Sequence, residues 1–199
     1  MPSTTLKKLL DGNKRFAECK SIHPNLAAEQ RSALVDEQKP FAAIVACSDS
    51  RVPVEIIFDV GIGDLFVIRT AGHVLSKETL GSLEYAVAKL NVNFIMILGH
   101  DNCGAVNSAI KTHNIHLENK LSDNMQTLLG HIYPVLDELK KKGELCPECA
   151  IRENIKYQVN DLLERDFYLA KKHNEGEILV VGAKYNLSTG LIEIVEDEK

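Results

Sequence analysis

Phe41-Ala-Ala-Ile-Val-Ala46, running straight into Cys47-Ser-Asp-Ser-Arg51, carries the most information of any stretch in this chain. Its first six residues are apolar throughout, with the length and composition of a strand buried on both faces. Open α/β sheets carry their chemistry at the carboxyl ends of such strands, so Cys47 is expected at an active strand tip. Cys47 and Asp49 are two apart, as are Asp49 and Arg51, and extended backbone puts each pair on one side. A thiolate, a carboxylate and a guanidinium thus leave the strand together. The same letters also describe a core cysteine followed by a solvated ion pair, so the pentapeptide assigns no function by itself.

Around this stretch, apolar runs alternate with helical patterns. Ser3 or Thr4 is a candidate cap for a first helix reaching Cys19, and a second, short helix covers 26–35 after Pro24. Neither is apolar enough to anchor a core, so the arm 1–36 is expected to pack on a partner subunit. Val52-Pro53 starts a helical segment to Phe58, Leu65–Ile68 is a short strand, and 69–73 reads as irregular. A helix over 79–90 carries Leu80, Leu83, Val87 and Leu90 on one stripe. The almost wholly apolar 92–98 is a strand, with a helix starting near Cys103. Two long helices follow, over 119–142 and 147–172, then a strand over 177–182 and a hairpin-like last strand over 191–195. The alternation predicts an α/β fold in a single domain, 1–199. Its central sheet is mostly parallel, flanked by helices, with an antiparallel edge strand and an N-terminal helical arm.

Composition narrows the function. The 199 residues are 45% hydrophobic and 26% charged, with a formal charge of −5 that offers no basic footprint for nucleic acid or an anionic membrane. No apolar run approaches the roughly 20 residues of a membrane span. Met1-Pro-Ser-Thr-Thr-Leu-Lys-Lys lacks the apolar core of a secretory signal, and the cysteine count of five is odd, so a cytoplasmic location is expected.

The chemistry gathers at two strand tips. The 92–98 strand ends in Gly99-His100-Asp-Asn-Cys103-Gly104. If it neighbours the Phe41 strand, Cys47, Asp49, His100 and Cys103 converge at one sheet edge. Two sulfurs, one imidazole nitrogen and one carboxylate oxygen make a tetrahedral set for zinc. Arg51 is placed to compete for Asp49, which would make a closed site openable.

These two motifs, together with Leu9-x-x-Gly12-Asn13-x-x-Phe16, Gly63-Asp64-Leu-Phe66-Val-x-Arg69, Ser82-Leu-Glu-Tyr85-Ala-Val and Thr189-Gly190, resemble the β-class carbonic anhydrases along nearly the whole chain. The resemblance implies zinc-dependent reversible hydration of carbon dioxide to bicarbonate and a proton, through zinc-bound hydroxide. It implies Cys47, His100 and Cys103 as ligands, and Asp49 as a fourth that Arg51 withdraws. It also implies Gln38 reaching a neighbouring subunit's site, Phe66 and Tyr85 in an apolar pocket, and the Gly104 amide beside the metal. A homodimer or dimer of dimers with swapped amino-terminal helices follows in the same way. Two departures stand out: Arg69-Thr-Ala-Gly-His73 replaces the family's Arg-Asn-Ala-Gly-Asn, and there is no tryptophan for the regulatory bicarbonate site some members carry.

Rival readings share these residues. Cys146-Pro-Glu-Cys149 offers a CxxC pair that with His100 and Cys103 would form a closed structural zinc site. Without a metal, Cys146 and Cys149 are expected as free thiols at a helix start, with a peripheral disulfide or redox role as the alternative. Relatives of the family hydrolyse carbonyl sulfide or carbon disulfide with the same ligands. His73 and His23 are candidate proton relays, and His113-Asn-Ile-His116 reads as a solvated loop.

Overall fold

In the computed structural model, residues 2–114 and 121–195 are described. Five strands, β1 (Ala42–Cys47), β2 (Leu65–Thr70), β3 (Phe94–His100), β4 (Leu179–Tyr185) and β5 (Ile192–Val195), form one sheet in the order β2-β1-β3-β4-β5. All pairings are parallel except β4 with β5, as the sequence predicted. From β1 the chain moves outward to β2, then returns across β1 to place β3 on its other side. The β1–β3 junction is therefore a switch point, where crevices open beyond the strand ends.

Period-2 alternation splits the apolar strands between two faces. Ala42, Ile44, Ala46, Phe94, Met96 and Leu98 face α1 (Pro2–Ala17) and α3 (Val54–Ile57) through Leu9, Ile57 and Phe58. Ala43, Val45, Ile95 and Ile97 face α4 (Lys77–Leu90), α8 (Pro147–Arg165) and α9 (Phe167–Asn174) through Leu80, Leu83, Leu162 and Leu169. A third cluster gathers beyond the strand tips around Cys47 and Cys103. It joins α5 (Gly104–Asn114), α6 (Asp123–Gly130) and α7 (Tyr133–Lys142) to the start of α8.

The N-terminal arm divides in two. α1 is fixed to its own chain: Leu9 is fully buried, and the Asn13 amide donates to Gly190 O (2.7 Å) and Ile57 O while accepting from Ile192 N (2.8 Å). The Gly12 backbone passes so near Phe58 O that a Cβ would overlap it at 1.9 Å. By contrast, α2 (Ala28–Ala33) buries no residue, and Val35 beyond it is 79% exposed.

Several boundaries differ from the sequence reading. Ser3 and Thr4 lie inside α1, which begins at Pro2, since proline suits a first turn. α4 starts at Lys77, because Ser76 caps it by accepting from Thr79 N. β2 runs to Thr70 and a single 3₁₀ turn, Ala71–His73, follows where an irregular segment was expected. Two helices replace the predicted 147–172 helix: Asp166 leaves helical geometry and its carboxylate caps Leu169 N at 2.9 Å. The 119–142 helix is likewise broken near Ile132, where Pro134 sits in the first turn of α7; its predicted start at Asn119 lies outside the described residues. β3 is shifted by two residues relative to the predicted strand, which makes His100 its last residue.

Candidate metal centre

Three elements deliver the centre. β1 ends at Cys47, β3 ends at His100, and Cys103 immediately precedes α5. Asn102 adopts φ +53, a conformation asparagine tolerates better than most residues, and this tight turn brings Cys103 back beside His100. The Cys47 Sγ, Cys103 Sγ and a ring nitrogen of His100 all lie within 4.8 Å of one another. Among the described residues no other group of three or more histidine, cysteine or acidic side chains is arranged this way.

The donor set fits a tetrahedral metal on two counts. The sulfurs are 3.9 Å apart, against about 3.8 Å for two thiolates bound at about 2.3 Å with a tetrahedral angle. His100 Nδ1 lies 2.8 Å from Asp101 O, so it carries the ring proton and donates to that carbonyl. Nε2 is left fully buried, without a hydrogen-bond partner, beside the two sulfurs. Buried polar atoms are almost always satisfied, so this orphaned lone pair, facing two sulfurs, fits the role of a metal ligand. The sulfurs also share charge: the Cys103 thiol, bonding to Cys47, lowers the Cys47 pKa, while the same contact and burial raise that of Cys103. A bound cation stabilises both as thiolates.

Asp49 stands beside this triad, with Oδ2 3.8 Å from His100 Nε2, but its carboxylate is turned to Arg51. Oδ1 accepts from Arg51 N and Nε, both at 2.9 Å, and Oδ2 accepts from Nη2 at 2.8 Å. This fork holds the Asp49 carboxyl well below the usual carboxylate range. Both carboxylate oxygens of Asp49 are thus engaged by Arg51.

The carbonic anhydrase family model matches residues 42–192, which is most of the chain. The chain belongs to the β-class carbonic anhydrase family. Carbonic anhydrase 2 of Mycobacterium tuberculosis is 37% identical over 190 residues, covering 95% of this chain and 90% of that protein. Among solved structures, the β-carbonic anhydrase CcaA superposes with a TM-score of 0.78 at 26% identity, over 96% of this chain and 95% of the other. A tetrameric β-carbonic anhydrase of Sordaria macrospora superposes with a TM-score of 0.69 at 25% identity, over 96% and 97%.

Within this carbonic anhydrase, the expected pocket residues Gln38, Phe66 and Tyr85 lie away from their own chain's metal centre. Phe66 pairs with Ala43 and Cys47 with Thr70, four residues further along the same ladder, about 13 Å at strand rise. Gln38 lies before β1 begins, further still from the tip. It lines a groove of about 620 Å³ with Leu34, Val35, Tyr85 and Lys89, and the Tyr85 ring sits 6.3 Å from that of Phe66. Gly104 opens α5 at the surface, and a Cβ there would meet nothing within 4 Å.

Two positioning residues escaped the sequence reading. Arg69 donates through Nε and Nη2 to Cys47 O (3.1 and 2.9 Å) and through Nη2 to Asp49 O (2.6 Å), fixing the loop that carries Cys47 and Asp49. Asn154 donates to Gly72 O at 3.2 Å, and Gly72 N in turn donates to Cys47 Sγ at 3.3 Å. Arg69 stood in a recognised motif, while Asn154 sits mid-helix with no local signal. His73 is fully buried, and burial lowers its pKa to about 4. His113 is not in a loop: it lies on α5, 2.8 Å from Asp137 and stacked on Tyr133, and His116 lies outside the described residues. Cys146 and Cys149 form a disulfide with each other, which overturns both the free-thiol expectation and the four-ligand set with His100 and Cys103. No helix among the described residues is long and apolar enough to cross a membrane.

Proposed function

We propose that this chain catalyses the reversible hydration of carbon dioxide to bicarbonate and a proton, with zinc held by Cys47, His100 and Cys103. The orphaned Nε2 of His100 facing two sulfurs is the observation that carries the metal reading. Zinc bound there acidifies a water and supplies the nucleophile near neutral pH. The chain's own residues then set access and orientation. Held on Arg51, the Asp49 carboxylate would be kept off a zinc held by Cys47, His100 and Cys103, would leave room for water beside it, and would accept a hydrogen bond from that water. Released from Arg51, the same carboxylate would be a further oxygen donor to the zinc and would keep water out. Arg69 and the Gly72 amide keep Cys47 in place through either state.

We further infer that the pocket is completed between subunits. Gln38, Phe66 and Tyr85 gather near the opposite end of the sheet from their own centre, on a surface where Tyr85 is 48% and Val35 79% exposed. A homodimer, or a dimer of dimers, would present them to a second protomer's metal centre and cover these side chains.

Two thiolates would cancel the double charge of a bound divalent ion, so a water on it would be less acidic than beside three neutral imidazoles. Hydration is therefore expected to rise toward alkaline pH. Stopped-flow hydration on zinc-replete protein from about pH 6.5 to 9 is the test. A negligible rate at every pH overturns the reading, and carbonyl sulfide hydrolysis by the same preparation would then assign the substrate instead.

A further inference from the structure

The Cys146–Cys149 pair lies outside the metal centre and takes no part in the reaction above. Cys146 is the N-cap of α8, Pro147 occupies the first turn, and Cys149 N donates to Cys146 Sγ at 3.0 Å. α8 runs for 19 residues, so its N-terminal partial charge and this amide both favour a thiolate on Cys146. Both cysteines are partly exposed, and Pro147 and Glu148 between them are exposed, so a small thiol reaches the bond.

The disulfide is poorly placed as a staple. It spans a sequence separation of only 3, the loop class in which cross-linking removes least chain entropy. The start of α8 is moreover secured without it. Ala150 and Ile151 are buried, Glu148 pairs with Lys184 of β4, and Arg152 with Glu193 of β5 at 2.8 Å. The bond can open and close while the helix stays docked.

We infer that Cys146–Cys149 is a redox-active pair that exchanges with small cellular thiols and their disulfides. In the oxidising direction the Cys146 thiolate attacks a small-molecule disulfide, forming a mixed disulfide and expelling one thiolate. Cys149 then attacks the Cys146 sulfur, closing the intramolecular bond and expelling the second. Two electrons pass from the pair to the small disulfide, which leaves as two thiols carrying the two protons. The reverse sequence reduces the pair.

The test equilibrates full-length, zinc-loaded protein in glutathione buffers of graded reduced-to-oxidised ratio, traps thiols by alkylation, and weighs the peptide containing both cysteines. The expected result is a transition from disulfide to doubly alkylated peptide within the range spanned by cellular glutathione. A peptide oxidised at every ratio means an inert staple, and one alkylated at every ratio means no disulfide in solution; either overturns the inference. Cys149→Ser supplies a second readout, with the exposed Cys19 as internal standard. Cys146 should react with an aromatic disulfide several-fold faster than Cys19 at neutral pH. Equal or slower reaction refutes the activated thiolate.

Discussion

Acid sensitivity should be built into the fold at His73. Its imidazole is fully buried, Nε2 lies 3.0 Å from Asn154 Nδ2 and accepts from it, and Nδ1 has no partner. Protonation would break the Asn154 bond and place a charge in the cluster behind the metal centre. Burial therefore holds the folded-state pKa at about 4, against 6.5 in the absence of that burial; the charge on Cys47 opposes the shift and His100 reinforces it. Above about pH 6.5 the ring is neutral in both folded and unfolded chains and contributes no pH dependence. Below it the unfolded chain takes up a proton that the folded chain refuses, so stability falls by about 1.4 kcal/mol per pH unit until the folded ring titrates too. That amounts to about 2 kcal/mol by pH 5 and about 3 kcal/mol by pH 4. His73→Asn removes this contribution while suiting the backbone, which is at φ +49 here. Urea unfolding of both proteins at pH 7, 6 and 5, at matched protein and zinc concentrations, reads it out, since thiolate protonation and metal release act on both alike. The variant should lose about 2 kcal/mol less than the parent between pH 7 and 5. Parallel losses would refute a neutral buried histidine.

Arg51→Ala deletes the fork on Asp49 and frees the carboxylate to close the site, so zinc content should stay at one per chain while hydration falls roughly 10- to 100-fold; full activity would refute the switch. Mixing equal amounts of two inactive proteins, Cys47→Ser and a Gln38→Ala/Tyr85→Ala double variant, should restore about a quarter of parental activity after subunit exchange if pockets are shared between protomers. No recovery, with exchange verified by mass, would place the pocket within one chain. Asn13→Ala strands the Gly190 and Ile57 carbonyls and the Ile192 amide, and should cost about 3 kcal/mol in urea unfolding.

Strand tips were legible in the sequence because buried parallel strands are written as unbroken apolar runs, and the ligands follow those runs directly. Cys47, His100 and Cys103 could be named for that reason. The helix breaks at Asp166 and Ile132 were not legible, since capping and proline placement act within otherwise continuous helical patterns. The disulfide was only an open alternative, because a CxxC spacing describes thiols, metal ligands and a bonded pair equally well.

The sequence by itself determined the sheet class, the donor set and the presence of a carboxylate and a guanidinium beside it, because these depend on residue type and local periodicity. Only the tertiary structure decided that Asp49 is paired with Arg51, that Arg69 and Asn154 support Cys47, and that Gln38, Phe66 and Tyr85 lie away from their own centre. Each of these depends on where distant segments meet. Hydrogen bonds between residues 22 or 82 positions apart, such as Arg69 to Cys47 and Asn154 to Gly72, leave no trace in local pattern and arise only when the sheet and α8 close over the strand tips.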